Sequence, residues 1–146
     1  DRTIPVGRSL DLNTADNLLL AQRLLQHRTP VSRRFAVLRQ AEMFLLNPAF
    51  DPEIRLSYSA ALDLIVSWQS GESGLSILDL VAAEVPPLSQ VLTVIGQTTD
   101  QITVCFPPDR LEWAGEPAER NAYAGLMVRG EIPLPKLLAL SPMAGF

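Results

Sequence analysis

LIVSWQSGESGLSILDLVA, residues 64–82, decides how the chain folds. Leu62, Leu64, Val66 and Trp68 recur at every second position, the period of a strand that turns one face inward. The hexapeptide QSGESG interrupts the pattern, and LSILDLVAA resumes it as a further strand. A connection this short predicts an antiparallel hairpin. Just upstream the same period is already running, with Ile54, Leu56 and Tyr58 alternating with Arg55, Ser57 and Ser59. Three successive strands therefore form the middle of the chain.

Downstream, Pro86-Pro87 opens a helix in which Leu88, Val91, Leu92 and Ile95 share a face, and Gly96 closes it. ITVCFPPDRLEW, residues 102–113, supplies a buried strand that stops at its prolines. The polar loop AGEPAERNA leads to a last strand, YAGLMVR, and the proline-bounded tail carries a short helical turn at Lys136 to Leu140. Upstream, RSLDLN suits a first strand, and Asn13-Thr14 offers a cap to a helix with Asp16 in its first turn and Leu18, Ala21, Leu24 and Leu25 on one face. Ser32 offers a cap to a second helix carrying Phe35, Leu38, Ala41 and Leu45, which Asn47-Pro48 is expected to stop. A helix between the fourth and fifth strands is a crossover, which makes those two parallel and the others antiparallel. The fold class expected is α/β (α+β): a mixed, mainly antiparallel sheet with helices on both faces, in the order β-α-α-β-β-β-α-β-(α)-β.

A chain of 146 residues, 47% hydrophobic, is long enough for one core and is expected to form a single domain over residues 1–146. Net charge is −4, and the basic residues are scattered, so no footprint for nucleic acid or an anionic membrane is visible. One cysteine and one histidine supply neither a disulfide framework nor a zinc site, so no metal is expected. No apolar run reaches the ~20 residues of a membrane span, and DRTIPVGR lacks the layout of a signal peptide. A cytoplasmic protein is expected. The chain begins without methionine and ends in LSPMAGF, which suits a processed chain or a piece of a larger protein.

The element order resembles the GNAT superfamily of acyl-CoA-dependent N-acyltransferases. LIVSWQSGESGLSILDLVA looks like that family's central hairpin and fourth strand, PPLSQVLTVIGQ like its third helix, and ITVCFPPDRL like its fifth strand. The family's signature is a glycine-rich turn between fourth strand and third helix, whose N–H groups hold the pyrophosphate of coenzyme A. Here that stretch reads Val81-Ala82-Ala83-Glu84-Val85-Pro86-Pro87. It has no glycine for close approach, two prolines without N–H donors, and a carboxylate where a dianion would sit. The resemblance thus implies a degenerate domain that binds no cofactor of its own.

Individual residues admit two readings each. Cys105 is a nucleophile only if a base lowers its pKa, and nothing in the sequence ties it to His27, so packing within a strand is the other reading. His27 itself suits the C-terminus of a helix. By the resemblance Asp79, in mid-strand, is the candidate base for an acceptor amine, and Tyr123 the candidate acid that protonates a departing thiolate. Otherwise Asp79 pairs with a neighbouring polar group or meets solvent, and Tyr123 packs. Trp68, Arg110 and Trp113 at strand ends suit a substrate- or partner-binding surface, or the lids of a small core. The arginines of RTPVSRR suit an anion or a solvated helix entrance.

Three functions are compatible with these residues. The first is an accessory or substrate-side half of an N-acetyltransferase, partnered by an upstream or separate acyltransferase domain or by a second copy in a homo-oligomer. The second is a divergent acyltransferase using acetyl-CoA with Asp79 and Tyr123. The third is a non-catalytic ligand- or partner-binding module built on Trp68, Arg110 and Trp113.

Overall fold

The computed structural model of the chain describes residues 3–34, 36, 41–117 and 141–144. Within them the order is β1 (Arg8–Ser9), α1 (Ala15–His27), α2 (Glu42–Phe50), β2 (Arg55–Ser59), β3 (Leu64–Gly71), β4 (Gly74–Val81), α3 (Leu88–Ile95) and β5 (Ile102–Val104), with a 3-10 turn at Pro142–Ala144. The strands lie in one sheet in sequence order, β1-β2-β3-β4-β5. All neighbours are antiparallel except β4 and β5, which the α3 crossover makes parallel. The mixed sheet expected from the sequence is present. The last expected strand and the turn at Lys136 to Leu140 lie outside the described residues.

The β3–β4 hairpin turns at Glu72-Ser73, with Gly71 opposite Gly74. Positive φ falls on Gly74, at 106°, where the tight turn closes. An irregularity lies deeper: Ser67 faces Asp79 while Trp68 faces Ile77, which leaves Leu78 as an extra residue on β4. Its effect is visible in the packing. Leu75 and Ile77 join Val91, Val94 and Leu88 of α3 on one side of the sheet, whereas Leu78 and Val81 join Leu24, Leu25 and Phe44 of α1 and α2 on the other. Asp79, between Leu78 and Val81, is thereby carried to the α1 side.

α3 forms where its apolar spacing and flanks predict, with Pro87 at the N-cap and Gly96 in the left-handed region at φ 69°. α1 also forms as expected and buries Ala21, Leu24 and Leu25. Its cap differs in detail, because the Thr14 hydroxyl donates to the Asp11 carbonyl rather than accepting from the helix. Near its far end Arg23 forks onto Asp63 at 2.9 and 3.0 Å, and the Tyr58 hydroxyl donates to the same carboxylate, which clasps α1 to the turn before β3.

Two expectations are corrected. β1 is two residues long, because after Leu10 N–H meets the Leu56 carbonyl the chain turns off at Asp11. Asn47-Pro48 does not stop α2, which runs on to Phe50 with Pro48 inside it. The Asn47 side chain donates to the Met43 carbonyl at 2.7 Å and the Asp51 N–H to the Asn47 carbonyl, while the carbonyl that loses its helical donor to Pro48 is that of Phe44. The helix entrance expected at Ser32 falls largely on residues 35 and 37–40, outside the described residues; the Ser32 hydroxyl donates to Asp109, far along the chain, and accepts the Arg34 N–H.

Candidate functional site

Among the described residues, a buried pair of charges lies in the wedge between β4 and β5. Pairing between them ends at Ile77 opposite Val104, and the Cys105 N–H makes the last bond, 2.9 Å to the Ile77 carbonyl. Pro107 and Pro108 have no N–H to continue the ladder, so the chain leaves the sheet. β4 runs on through Leu78–Val81 without that neighbour.

Other parts of the chain take the vacated edge. α1 ends at His27, and Arg28 is already extended, at φ −63° and ψ 141°. Thr29 precedes Pro30, which disfavours the helical region and keeps the chain strand-like. This strap lies along β4. The Thr29 N–H donates to the Ala82 carbonyl at 2.8 Å, its hydroxyl donates to the Ala83 carbonyl, and Arg28 Nη2 donates to the Leu80 carbonyl at 2.8 Å. Ser141 donates to the Leu78 carbonyl at 2.8 Å, and the Leu80 N–H is taken by Asp79 Oδ1 at 2.8 Å.

Arg28 and Asp79 form an ion pair inside this edge, their side chains 2% and 4% exposed. The contact is a fork, with Nη2 to Oδ1 at 2.7 Å and Nη1 to Oδ2 at 3.3 Å. Removing two charges from water costs several kcal/mol per ion, and only close pairing with further hydrogen bonds offsets it. Here Leu80 supplies both a donor to the carboxylate and an acceptor to the guanidinium. Arg28 Nε, among the described residues, has no partner.

The helix beyond the wedge offers little to an anion. Leu88 N–H at the start of α3 donates to the Leu111 carbonyl at 2.9 Å, and the N–H groups of Gln90 and Val91 turn back to Pro87 at 3.0 and 3.3 Å. Pro86 and Pro87 have none to give. Glu84 stands exposed beside them.

The residues singled out from the sequence fall in different places. Asp79 is buried in the wedge with both oxygens engaged. Trp68 is a core residue at 4% exposure, its indole N–H bound to the Ser57 hydroxyl at 3.0 Å. Arg110 is half-buried, with Nε enclosed and unpartnered among the described residues, and Trp113 is a surface residue whose ring lies over Gly115. Tyr123 lies outside the described residues. Cys105 packs in the core with Leu78 and Met143, while His27 is exposed at the end of α1.

Reading the sequence suited the RTPVSRR arginines, Arg28 among them, to an anion, but missed Asp79 as that anion and missed Thr29 and Ser141 as groups that fill the wedge. Two signals for them exist: a carboxylate in mid-strand requires a counter-charge if buried, and Thr29-Pro30 after a helix requires extended chain. Arg28 is the first arginine of RTPVSRR, and the end of that stretch is held by a different contact. Asp109 accepts from the Ser32 hydroxyl and from the Arg33 N–H at 2.8 Å. Burial pushes the Asp109 carboxyl up, but these donors and the Arg34 charge outweigh it and hold it below the usual range.

Among the described residues no group of three or more His, Cys, Asp or Glu could hold a metal ion, and no helix is long and apolar enough to cross a membrane. No family model, curated protein or solved structure matches the chain.

Proposed function

We propose that this chain is a GNAT-like domain that has given up coenzyme A binding and serves as the accessory, substrate-side part of an N-acyltransferase whose acyl-CoA site lies on another domain or chain. The observation that carries the proposal is the closed wedge. Coenzyme A presents a pyrophosphate and an arm of amides, and both call for unused backbone donors and acceptors. Along β4 the carbonyls of Leu78, Leu80 and Ala82 and the Leu80 N–H already have partners within the chain. At α3 Pro86 and Pro87 have no N–H, and the Leu88, Gln90 and Val91 N–H groups are bonded within the chain. Asp79 is in this reading the counter-charge of Arg28, since a base needs a free lone pair within reach of a proton, and its oxygens are taken.

Calorimetric titration of the chain with acetyl-CoA is expected to show no saturable heat. Sub-millimolar binding would overturn the proposal. For the accessory role, affinity purification from the source cells is expected to bring down a protein with measurable N-acyltransferase activity. Recovery of the chain alone would count against that role while leaving the closed wedge intact.

A further inference from the structure

Across the sheet from the wedge, β1 stops after Ser9 and the chain leaves β2 past Leu56, and there a cleft of about 520 Å3 opens. That volume lies within the roughly 300–1,000 Å3 of small-molecule sites. One part of its wall is apolar, from Leu12, Leu45, Pro48 and Ile54, and among the described residues Arg55 is the one cation lining it.

Arg55 is held ready. Its guanidinium lies 5.5 Å from the centre of the Trp68 ring, and Trp68 is itself fixed by Ser57. The ion pairs among the described residues join Arg23 to Asp63 and Arg28 to Asp79, and neither involves Arg55. The nearby acids are occupied by neutral donors: Asp11 Oδ1 takes the Asn13 N–H and side-chain amide, and Asp51 takes the Glu53 N–H and the Gln69 amide. Arg55 and Trp68 lie on the α3 side of the sheet and Leu12, Leu45 and Ile54 on the α1–α2 side, and the cleft joins them around the open edge of β2. A ligand spanning that edge sets an anionic head on the exposed guanidinium and an apolar body on the other side.

We propose that this cleft binds a small amphipathic carboxylate, its head on Arg55 and its body against Leu12, Leu45, Pro48 and Ile54. The test titrates the chain with decanoate and maps amide shifts by NMR. Saturable 1:1 binding with shifts at Leu12, Leu45 and Arg55 is expected. Arg55→Gln should weaken it roughly tenfold, the scale of one lost charge-assisted contact, while Arg33→Gln at a remote exposed arginine leaves it unchanged. Decylammonium, with the same tail and opposite charge, should bind at least about tenfold more weakly than decanoate. No saturable binding of decanoate, equal binding by the Arg55→Gln variant, or equal binding of decylammonium would each overturn the proposal.

Discussion

The two flanks of the sheet face the same difficulty and meet it differently. On the β5 side a strand stops early because prolines cannot pair, and the exposed edge of β4 is taken over by Arg28, Thr29 and Ser141. On the β1 side a strand also stops early, and the chain then makes a turn at Asp11 and leaves a cleft. The difference lies in the segment that the chain delivers to each edge. α1 ends so that an extended Arg28-Thr29-Pro30 is laid against β4, and the buried carboxylate of Asp79 fixes it there. Beside β2 the carboxylates bind their own turns and the cation is left facing solvent. A broken strand edge is thus closed on one flank and open on the other.

Four changes probe that contrast, from the largest effect to the smallest. Arg28→Ala leaves Asp79 buried and unpaired and should cost about 3–5 kcal/mol in chemical denaturation. Replacing both charges together, Arg28→Met with Asp79→Leu, should recover most of that loss, because the pair owes much of its apparent value to the penalty of separating it. Gly74→Ala acts where β4 and β5 are still paired. A Cβ there would lie 2.4 Å from the Gln101 carbonyl at a φ of 106°, so a loss of about 2–3 kcal/mol is expected. Ser141→Ala removes one donor from the Leu78 carbonyl and should cost about 1 kcal/mol in the same assay.

The smallest effect is on acid stability. Arg23 holds the Asp63 carboxyl below the usual range through its hydrogen bonds, and the donors on Asp109 do the same there. A depressed folded pKa gives stability that is present above the unfolded pKa and lost as pH falls through the folded one. Melting temperature should therefore drop below about pH 4, near the ordinary aspartate pKa, and Asp63→Asn should flatten part of that drop. The Arg23–Asp63 pair is about half exposed, so the flattening will be slight.

Sequence distance separates the features legible in the residues from those that are not. The hairpin at QSGESG, the α3 boundaries and the parallel β4–β5 pair are written in local periodicity and in Pro and Gly placement, and they form as read. The Asn47-Pro48 boundary differs, because α2 runs through Pro48 to Phe50, with the Asn47 amide bonded to the Met43 carbonyl. Nor does local pattern show that the Ser32 hydroxyl meets Asp109, 77 residues away. The site shows the same division. Asp79 stands out as a carboxylate in a strand, but its partner is 51 residues upstream and Ser141 lies 63 residues from the carbonyl it serves. Trp68 looks like a strand-end binding residue because period-two patterning does not show which end of a strand the helices cover.

Amide hydrogen exchange at Thr29, with and without acetyl-CoA, bears most directly on the closed wedge. If the strap is part of the fold, the Thr29 amide exchanges as slowly as those at the centre of β3, and acetyl-CoA leaves it unchanged. Fast exchange at Thr29 in the free protein, or a change in its protection when acetyl-CoA is added, would contradict a wedge permanently filled by the chain itself.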